Sequence, residues 1–390
     1  MIKNGYSNKT VLIFDLSIDG HHLEYIHHLY IEALKKREIN FHFVVNSNFT
    51  KVNHLFEWPK AENINIYFFQ NTDLPETNNA FLKCYYKNKL LKKFVKKTNA
   101  DKLILISLME FMPLLPLFFI NSKVKISGII YLIYLYRYKF SILFQKISDI
   151  SKYLMFSFFS SFEKLYILND EVSPRILNKK FHTSKFIFLP DPYIPLDNHV
   201  QLEPVREQYG IKTPFIYLHF GALEDRKGTI EILDAIHRTP SEKIEKITFV
   251  FLGKIGKSIK KDFMELLNKI ESQKKNVIVK DQFCSYNLIL SFCNESTIVL
   301  MPYKDQNQSS GVLNYASLFG IPVLAINNGL ICKIVKRYRL GYLIDACKPN
   351  LLADFFNHIS PEEIIKNSSK QNVKLFLNNH TIEKFSKTIL

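Results

Sequence analysis

Phe215-Ile216-Tyr217-Leu218-His219-Phe220-Gly221-Ala222-Leu223-Glu224-Asp225-Arg226-Lys227-Gly228 is the stretch on which the fold of this chain turns. Residues 215–220 form a short apolar run with β-branched and aromatic members. A glycine and a polar turn follow. Residues 229–238 then place apolar side chains at helical spacing. Strand, tight turn and helix in that order make the first half of a βαβ unit.

The same alternation continues downstream. Residues 247–252, 277–279, 297–301 and 323–326 are strand candidates, and residues 259–272, 286–293 and 310–319 are helix candidates between them. Upstream, strand candidates at 10–16, 41–45, 64–69, 102–107, 126–134, 165–168 and 186–189 alternate with helices at 21–37, 81–97 and 139–162. Pro190-Asp191-Pro192-Tyr193-Ile194-Pro195 breaks both patterns, because proline removes a donor and fixes its own φ. The expectation is α/β, with two consecutive doubly wound parallel sheets whose ligands bind beyond the carboxyl ends of the strands. Residues 1–195 form the first domain, 196–360 the second, and 361–390 a helical tail without a strand.

The chain has 390 residues, 47 % of them hydrophobic and 23 % charged, enough for two sizeable cores and too apolar for a disordered chain. The formal net charge of +16 favours anionic partners. The basic residues are mixed with Asn, Ile, Phe and Tyr throughout, which reads equally well as the bias of a genome that favours Lys codons. Five scattered cysteines show neither a CxxC pair nor metal-ligand spacing, which fits a reducing cytoplasm. The polar N-terminus lacks the apolar core of a signal peptide. No run of about 18 apolar residues offers a membrane span. There is no recognition helix, aromatic RNP pair or zinc spacing, so nucleic acid is not an expected partner.

Two segments carry chemistry in the second half. Gly221 allows close backbone approach, and Arg226 and Lys227 would offset the charge of a departing diphosphate. A polar turn with its basic pair in water is the competing reading. In Pro302-Tyr303-Lys304-Asp305-Gln306-Asn307-Gln308-Ser309-Ser310-Gly311-Val312-Leu313-Asn314-Tyr315-Ala316, a strand ends, a polar loop follows, and Ser309-Ser310-Gly311 opens a helix. Amides at a helix start attract phosphate, and the hydroxyls of Ser309 and Ser310 add donors. Helix capping by either serine is compatible with that role.

Together with Gly320-Ile321-Pro322-Val323 and the linker Leu189-Pro190-Asp191-Pro192, these segments resemble the donor domain of family 4-type retaining glycosyltransferases (glycosyl transferases group 1), in a branch with a Ser-Ser-Gly helix start. The resemblance implies the GT-B fold, two Rossmann-like doubly wound domains facing a central cleft, with the tail packing back on the first domain. It implies transfer of a sugar from a nucleoside diphosphate sugar to a glycan or lipid-linked glycan hydroxyl. It assigns the donor to Gly221, Arg226, Lys227, Phe283, Ser309, Ser310, Gly311, Val312 and Asn314. The sequence departs from the family in three places. Ala222 stands where Arg is usual, with Arg226 as the substitute charge. Asn307 and Tyr315 stand where two glutamates are usual, which passes ribose recognition to Asn314. Asp281 replaces a glycine near the base-binding segment. No Asp-x-Asp motif ends a strand, so no metal and no bound cofactor are expected. A catalytically silent scaffold and a sugar-nucleotide epimerase remain the alternatives.

The first half is expected to hold the acceptor. Gly20 sits at a strand-to-helix turn, followed by His21 and His22, either of which could orient or deprotonate a hydroxyl. Capping or exposure accounts for each histidine equally well. Glu110 follows the strand at 102–107 and points to the same end of the sheet, or lies on the surface. Tyr136 and Arg137 occupy the loop where many family members place a histidine. His22 and Glu110 join Arg226 and Lys227 as catalytic candidates. Gly20, His21, Tyr136 and Arg137 are acceptor candidates. Residues 111–162 are rich in Phe, Leu, Ile and Tyr, with Lys123, Lys125, Arg137, Lys139 and Lys146 among them. They form either the core of the domain or a basic amphipathic face on an anionic membrane. The resemblance sets the protein in bacterial surface polysaccharide or lipid-linked glycan synthesis, cytoplasmic or peripheral at the inner membrane face.

Overall fold

The structure is a computed structural model that describes residues 9–18, 21–131, 135, 142–196, 201–304, 309–367 and 370–390. Gly20, Tyr136, Arg137 and Asn307 lie outside the described residues.

The chain divides into two compact units. The first contains β1 (Thr10–Phe14), β2 (Asn40–Asn46), β3 (Ile64–Phe69), β4 (Lys102–Leu105), β5 (Lys125–Ile130), β6 (Phe162–Leu168) and β7 (Phe186–Leu189). All pair in parallel in the order β3-β2-β1-β4-β5-β6-β7. Every residue of β4 is buried, as expected of a strand covered on both faces by crossover helices. The strand order reverses at β1 and β4. Helices α1 (His21–Leu34), α2 (Ala80–Thr98), α3 (Leu143–Phe158) and α4 (Ser173–Lys180) make the main crossovers.

The second unit contains β8 (Phe215–Phe220), β9 (Ile247–Leu252), β10 (Val277–Lys280), β11 (Ile298–Met301), β12 (Val323–Ile326) and β13 (Gly341–Ile344). They are again all parallel, in the order β10-β9-β8-β11-β12-β13. The order reverses here at β8 and β11. The helices are α5 (Thr229–Arg238), α6 (Lys260–Ser272), α7 (Tyr286–Glu295), α8 (Val312–Leu318), α9 (Gly329–Tyr338), α10 (Pro349–His358), α11 (Pro361–Lys366) and α12 (Lys370–Asn379). Tyr217, Phe249 and Phe251 pack with Ile232 and Ile236 of α5, Phe263 of α6 and Phe355 and Phe356 of α10. β13, α9 and α10 are elements beyond those expected, although α9 buries Leu330, Ile331, Ile334, Val335 and Tyr338 at helical spacing. β13 is four residues long and only partly buried, too short for a periodic pattern.

The chain passes from the first unit to the second at Asp191 and Pro192, and returns at Ile382. The tail therefore divides differently from the expected 361–390: α11 and α12 stay with the second unit, and only Ile382–Leu390 joins the first. The reason is packing. In α13 (Ile382–Ile389) the i, i+4 pair Phe385 and Ile389 is fully buried in the core of β1, β2, β4 and α1. The Tyr166 hydroxyl and the Lys102 ammonium donate to the Ile389 carbonyl at 3.0 and 3.5 Å, satisfying one of the last carbonyls of the helix.

The end of the helix expected at 139–162 also moves. Phe162 begins β6, and α3 stops at Phe158. Lys185 holds that stop, donating to the carbonyls of Phe156, Ser157 and Phe159 at 2.9–3.0 Å. Both readings of this helix find residues. Tyr153 and Phe156 are buried, whereas Leu143, Phe144, Ile147, Leu154 and Phe158 are 52–84 % exposed. All five cysteines are free thiols. No helix among the described residues is long and apolar enough to cross a membrane.

Candidate functional site

In each unit, side chains gather where the strand order reverses, the position at which open α/β sheets bind ligands. In the second unit β8 ends at Phe220 and the chain turns through Gly221 at φ +98°. A short 3-10 turn, Asp225–Lys227, then brings Lys227 back over the strand end. Its ammonium lies 3.4 Å from the Phe220 carbonyl and 5.5 Å from the centre of the Tyr303 ring. A β-carbon on Gly221 would stand 2.5 Å from that ammonium, the movable end of a lysine, and the positive φ itself favours glycine. Gly228, at φ +73°, packs the turn on the end of β11, where a β-carbon would meet the Pro302 carbonyl at 2.7 Å.

Lys227 is 7 % exposed, and burial, reinforced by the charge of Arg226 and opposed by that of Glu224, pushes its pKa down to about 8. One distant carbonyl and a ring face compensate a buried ammonium weakly. An anion beside it would relieve that cost. The Tyr303 hydroxyl reaches the Ser310 hydroxyl at 3.4 Å. Tyr303 thus links the two segments that the sequence marked separately. Its own pKa is pushed up to about 12 by burial.

Arg226 and Lys227 part company in three dimensions. Arg226 is exposed and pairs with Glu224 at 2.7 Å, whereas Lys227 turns inward. Lys304 is held by Asp225 at 2.6 Å and Glu231 at 2.7 Å. The helix start also differs from expectation. α8 begins at Val312 with Gly311 as N-cap, and neither serine caps it. The amides of Leu313 and Asn314 already bond to the carbonyls of Ser310 and Gly311 at 3.2 and 2.9 Å.

Asn314 is buried and donates to the Pro192 carbonyl at 3.3 Å, tying α8 to the start of the unit. Tyr315 packs edge-on against Phe220 and Tyr286. Phe283 is 92 % exposed. Asp281 accepts from the Ile255 amide and the Lys260 ammonium, both at 2.9 Å, and these bonds hold its pKa down to about 2.

His219 was read only as part of a strand. It is buried beneath the site, with Nδ1 2.9 Å from the Leu300 carbonyl and Nε2 3.0 Å from the Thr229 hydroxyl. Burial pushes its pKa down to about 4, so the ring is neutral. A carbonyl only accepts, so Nδ1 carries the proton, and Nε2 faces the Thr229 hydroxyl, which also lies 3.1 Å from the Glu224 carbonyl. This one ring joins β8, β11 and the first turn of α5, the elements that carry both loops.

In the first unit Asp15 follows β1 and Glu110 follows β4. His22 Nδ1 lies 2.8 Å from Asp15 Oδ2. Asp15 is 1 % exposed, and burial raises its pKa against the lowering influence of His22. Burial works against charge on His22 as well, but the bond and charge of Asp15, with Glu110 adding, outweigh it and raise the pKa. Glu110 is exposed and bound to Lys87 at 2.6 Å. His21 meets Glu24 at 3.3 Å on the outer side of α1. His27 stacks on Phe56, and His28 is buried with its pKa pushed down to about 3 by burial. The structure thus brings His22 and Glu110 toward Asp15, a residue without a local sequence signature. A strand-end residue and a helix residue seven positions on share no period.

The two parallel sheets of seven and six strands, each wound on both sides, define the GT-B class of fold. Residues 203–375 match the family model described as glycosyl transferases group 1. Solved structures agree over nearly the whole chain. HepE of Anabaena in complex with UDP and glucose matches with a TM-score of 0.69 at 15 % identity, covering 98 % of both chains. WaaG, a glycosyltransferase involved in lipopolysaccharide biosynthesis, matches at 0.68 and 14 %, covering 97 % of this chain and 99 % of its own. An α,α-trehalose-phosphate synthase (UDP-forming) of Burkholderia vietnamiensis matches at 0.69 and 9 %, covering 97 % and 98 %. At these identities the likeness is one of fold. No curated protein matches by sequence. Among the described residues no group of three or more His, Cys, Asp or Glu is placed to hold a metal ion.

Proposed function

We propose that the chain transfers a sugar from a nucleoside diphosphate sugar to a hydroxyl of a glycan or lipid-linked glycan, with retained anomeric configuration. The observation that carries this reading is Lys227: a buried ammonium with a weak set of partners, linked through Tyr303 to Ser310. Among the described residues no carboxylate pairs with Lys227, and a diphosphate would supply that counter-charge. Lys227 would hold it through bond breaking, when negative charge grows on the leaving oxygen. Ser310 and the amides before Leu313 would bind its second phosphate. Gly221 and Gly228 keep the backbone close. The complexes of HepE with UDP and with UDP-glucose support a uridine donor as the first to try.

Cations at the diphosphate take the part that a divalent metal plays in other transferases, and we place this enzyme among the metal-independent ones. Turnover in excess chelator tests that; activity lost and then restored by Mn²⁺ or Mg²⁺ sinks it. The test of the whole reading is calorimetry with UDP and UDP-sugars, run beside transfer assays. Binding to the native chain that disappears in Lys227→Ala is the expected outcome. Nucleotide binding that survives intact in that variant overturns the site.

A silent scaffold is favoured by one feature, the burial of Asn314 against the linker, which removes the expected ribose partner. Turnover of any nucleotide sugar by the chain decides against it.

The acceptor belongs at the switch point of the first unit, beside His22. The setting we favour is bacterial surface polysaccharide or lipid-linked glycan synthesis at the inner face of the membrane. The exposed row Leu143, Phe144, Ile147, Leu154 and Phe158, with Lys146 and Lys152 on the same helix and a net charge of +16, fits an anionic bilayer surface. Co-sedimentation with vesicles containing anionic lipid at low salt, reduced by Phe144→Ser with Phe158→Ser, is expected. No co-sedimentation removes the membrane from the account.

A further inference from the structure

We infer that Asp15 is a positioning residue that locks His22 in one tautomer, making Nε2 the atom that receives a hydrogen bond from a hydroxyl substrate. The inference rests on the reading of this switch point as the acceptor side of a sugar transfer. It assigns a task to a carboxylate that no sequence motif marks.

The geometry is that of a built pair. Asp15 is at the end of β1, its backbone amide bonded to the Val44 carbonyl at 3.0 Å, so the sheet itself fixes its place. The carboxylate is fully buried, yet it receives two donors: the Ser17 amide on Oδ1 at 3.3 Å and His22 Nδ1 on Oδ2 at 2.8 Å. A buried carboxylate accepts and does not donate once ionised, so the proton of the His22–Asp15 bond sits on Nδ1. That assignment leaves Nε2 with its lone pair. The His22 ring keeps 22 % of its side-chain surface exposed, so it is reachable where Asp15 is not. Buried groups that serve packing alone sit inside; here the buried member holds a half-exposed one.

Among the described residues, the other groups facing the pair are few. His21 precedes it on α1, Glu110 comes from the turn after β4, with Lys87 of α2 bound to it, and Tyr131 follows β5 with its ring 5.8 Å from that of His22. Glu110 acts at longer range than Asp15 and is exposed. Asp15 is the one in direct contact. A neutral His22 is the acceptor form. Because the neighbouring carboxylate favours the imidazolium, the acceptor form appears at a higher pH than for an isolated histidine.

Nitrogen-15 NMR of the histidine side chains of the full chain tests this without any substrate. Above its titration His22 should show the Nδ1–H tautomer, and it should titrate above the ordinary histidine value. In Asp15→Asn, which keeps the shape and removes the charge, the titration should fall by about one pH unit or more. Glu110→Gln should move it less. In transfer assays Asp15→Asn should lower kcat by about a hundredfold, in the range of general acid–base groups. KM should change little, and the acidic limb of the pH–rate profile should shift to lower pH. A Nε2–H tautomer in the unmodified chain, which needs no folded variant, overturns the inference. So does an unmoved titration in a folded Asp15→Asn. Absence of sugar transfer leaves the NMR result standing and counts against the proposed function alone.

Discussion

The two units place different chemistry on the same piece of geometry. Each reverses its strand order at its first strand, and each puts a charged side chain just past the end of that strand. In the second unit the charge is Lys227, an ammonium buried with a carbonyl and an aromatic ring. In the first it is Asp15, a carboxylate buried with an amide and an imidazole. Among the described residues the first of these charges has no carboxylate paired with it. The other is already balanced by the ring it holds. A diphosphate suits the first deficiency, and a neutral hydroxyl suits the second arrangement. The shared backbone therefore says where ligands bind, and the buried charge says which.

The units also differ in closure. The second is completed by segments contiguous in sequence, the first by a helix that returns from the far end of the chain. The largest expected effect follows from that. Phe385→Ala removes a fully buried ring lying 4.7 Å from Tyr25, and should destabilise the first unit by about 3–5 kcal/mol in denaturant titration. A change below about 1 kcal/mol means that the returning helix does not complete that core.

The next effect separates the two charges. Lys227→Ala should cut turnover by about two to three orders of magnitude, the range seen when a donor to developing charge is removed. A near-normal rate would make the second switch point no more than a well-packed turn. Gly221→Ala sharpens the same point. The new β-carbon contests the ammonium's space at a backbone angle costly for L-residues, so UDP affinity should fall by roughly tenfold. Unchanged affinity means that the ammonium is not where the diphosphate binds.

A pH series then distinguishes the two units. With Lys227 at about 8 in the free protein, the charged form dominates below that value. Affinity for UDP should be flat just below pH 8 and fall by up to about tenfold per unit above it, because only the ammonium attracts the diphosphate. The His22 limb runs in the opposite sense, since its neutral form is the active one. The smallest effect belongs to Ser310→Ala, which removes a single hydroxyl donor and should weaken UDP binding by about 0.5–1.5 kcal/mol.

Much of the fold was legible because strands of a doubly covered parallel sheet are continuous apolar runs, and the runs at 215–220 and 247–252 could be read no other way. β13 is short and half-buried and carries a weak pattern, whereas the apolar residues of α9 at helical spacing were legible in the sequence. Of the candidate site, Gly221, Lys227 and Ser310 were visible as turn and helix-start chemistry. Their connection through Tyr303 was not, because an aromatic residue after a strand reads as core. Asp15, His219 and the inward turn of Lys227 away from Arg226 lacked any local signature.

The order of apolar runs, the prolines between the halves and the glycines flanking the cation pair determined the class of fold and the ends of strands where chemistry would gather. Those are properties of neighbours along the chain, set by period and by backbone freedom. Which of two adjacent cations is buried, which carboxylate holds a histidine, and which part of the tail returns to the first core were decided by tertiary structure. Burial and hydrogen bonding depend on residues that meet only after the sheets have formed, and no local pattern encodes those meetings.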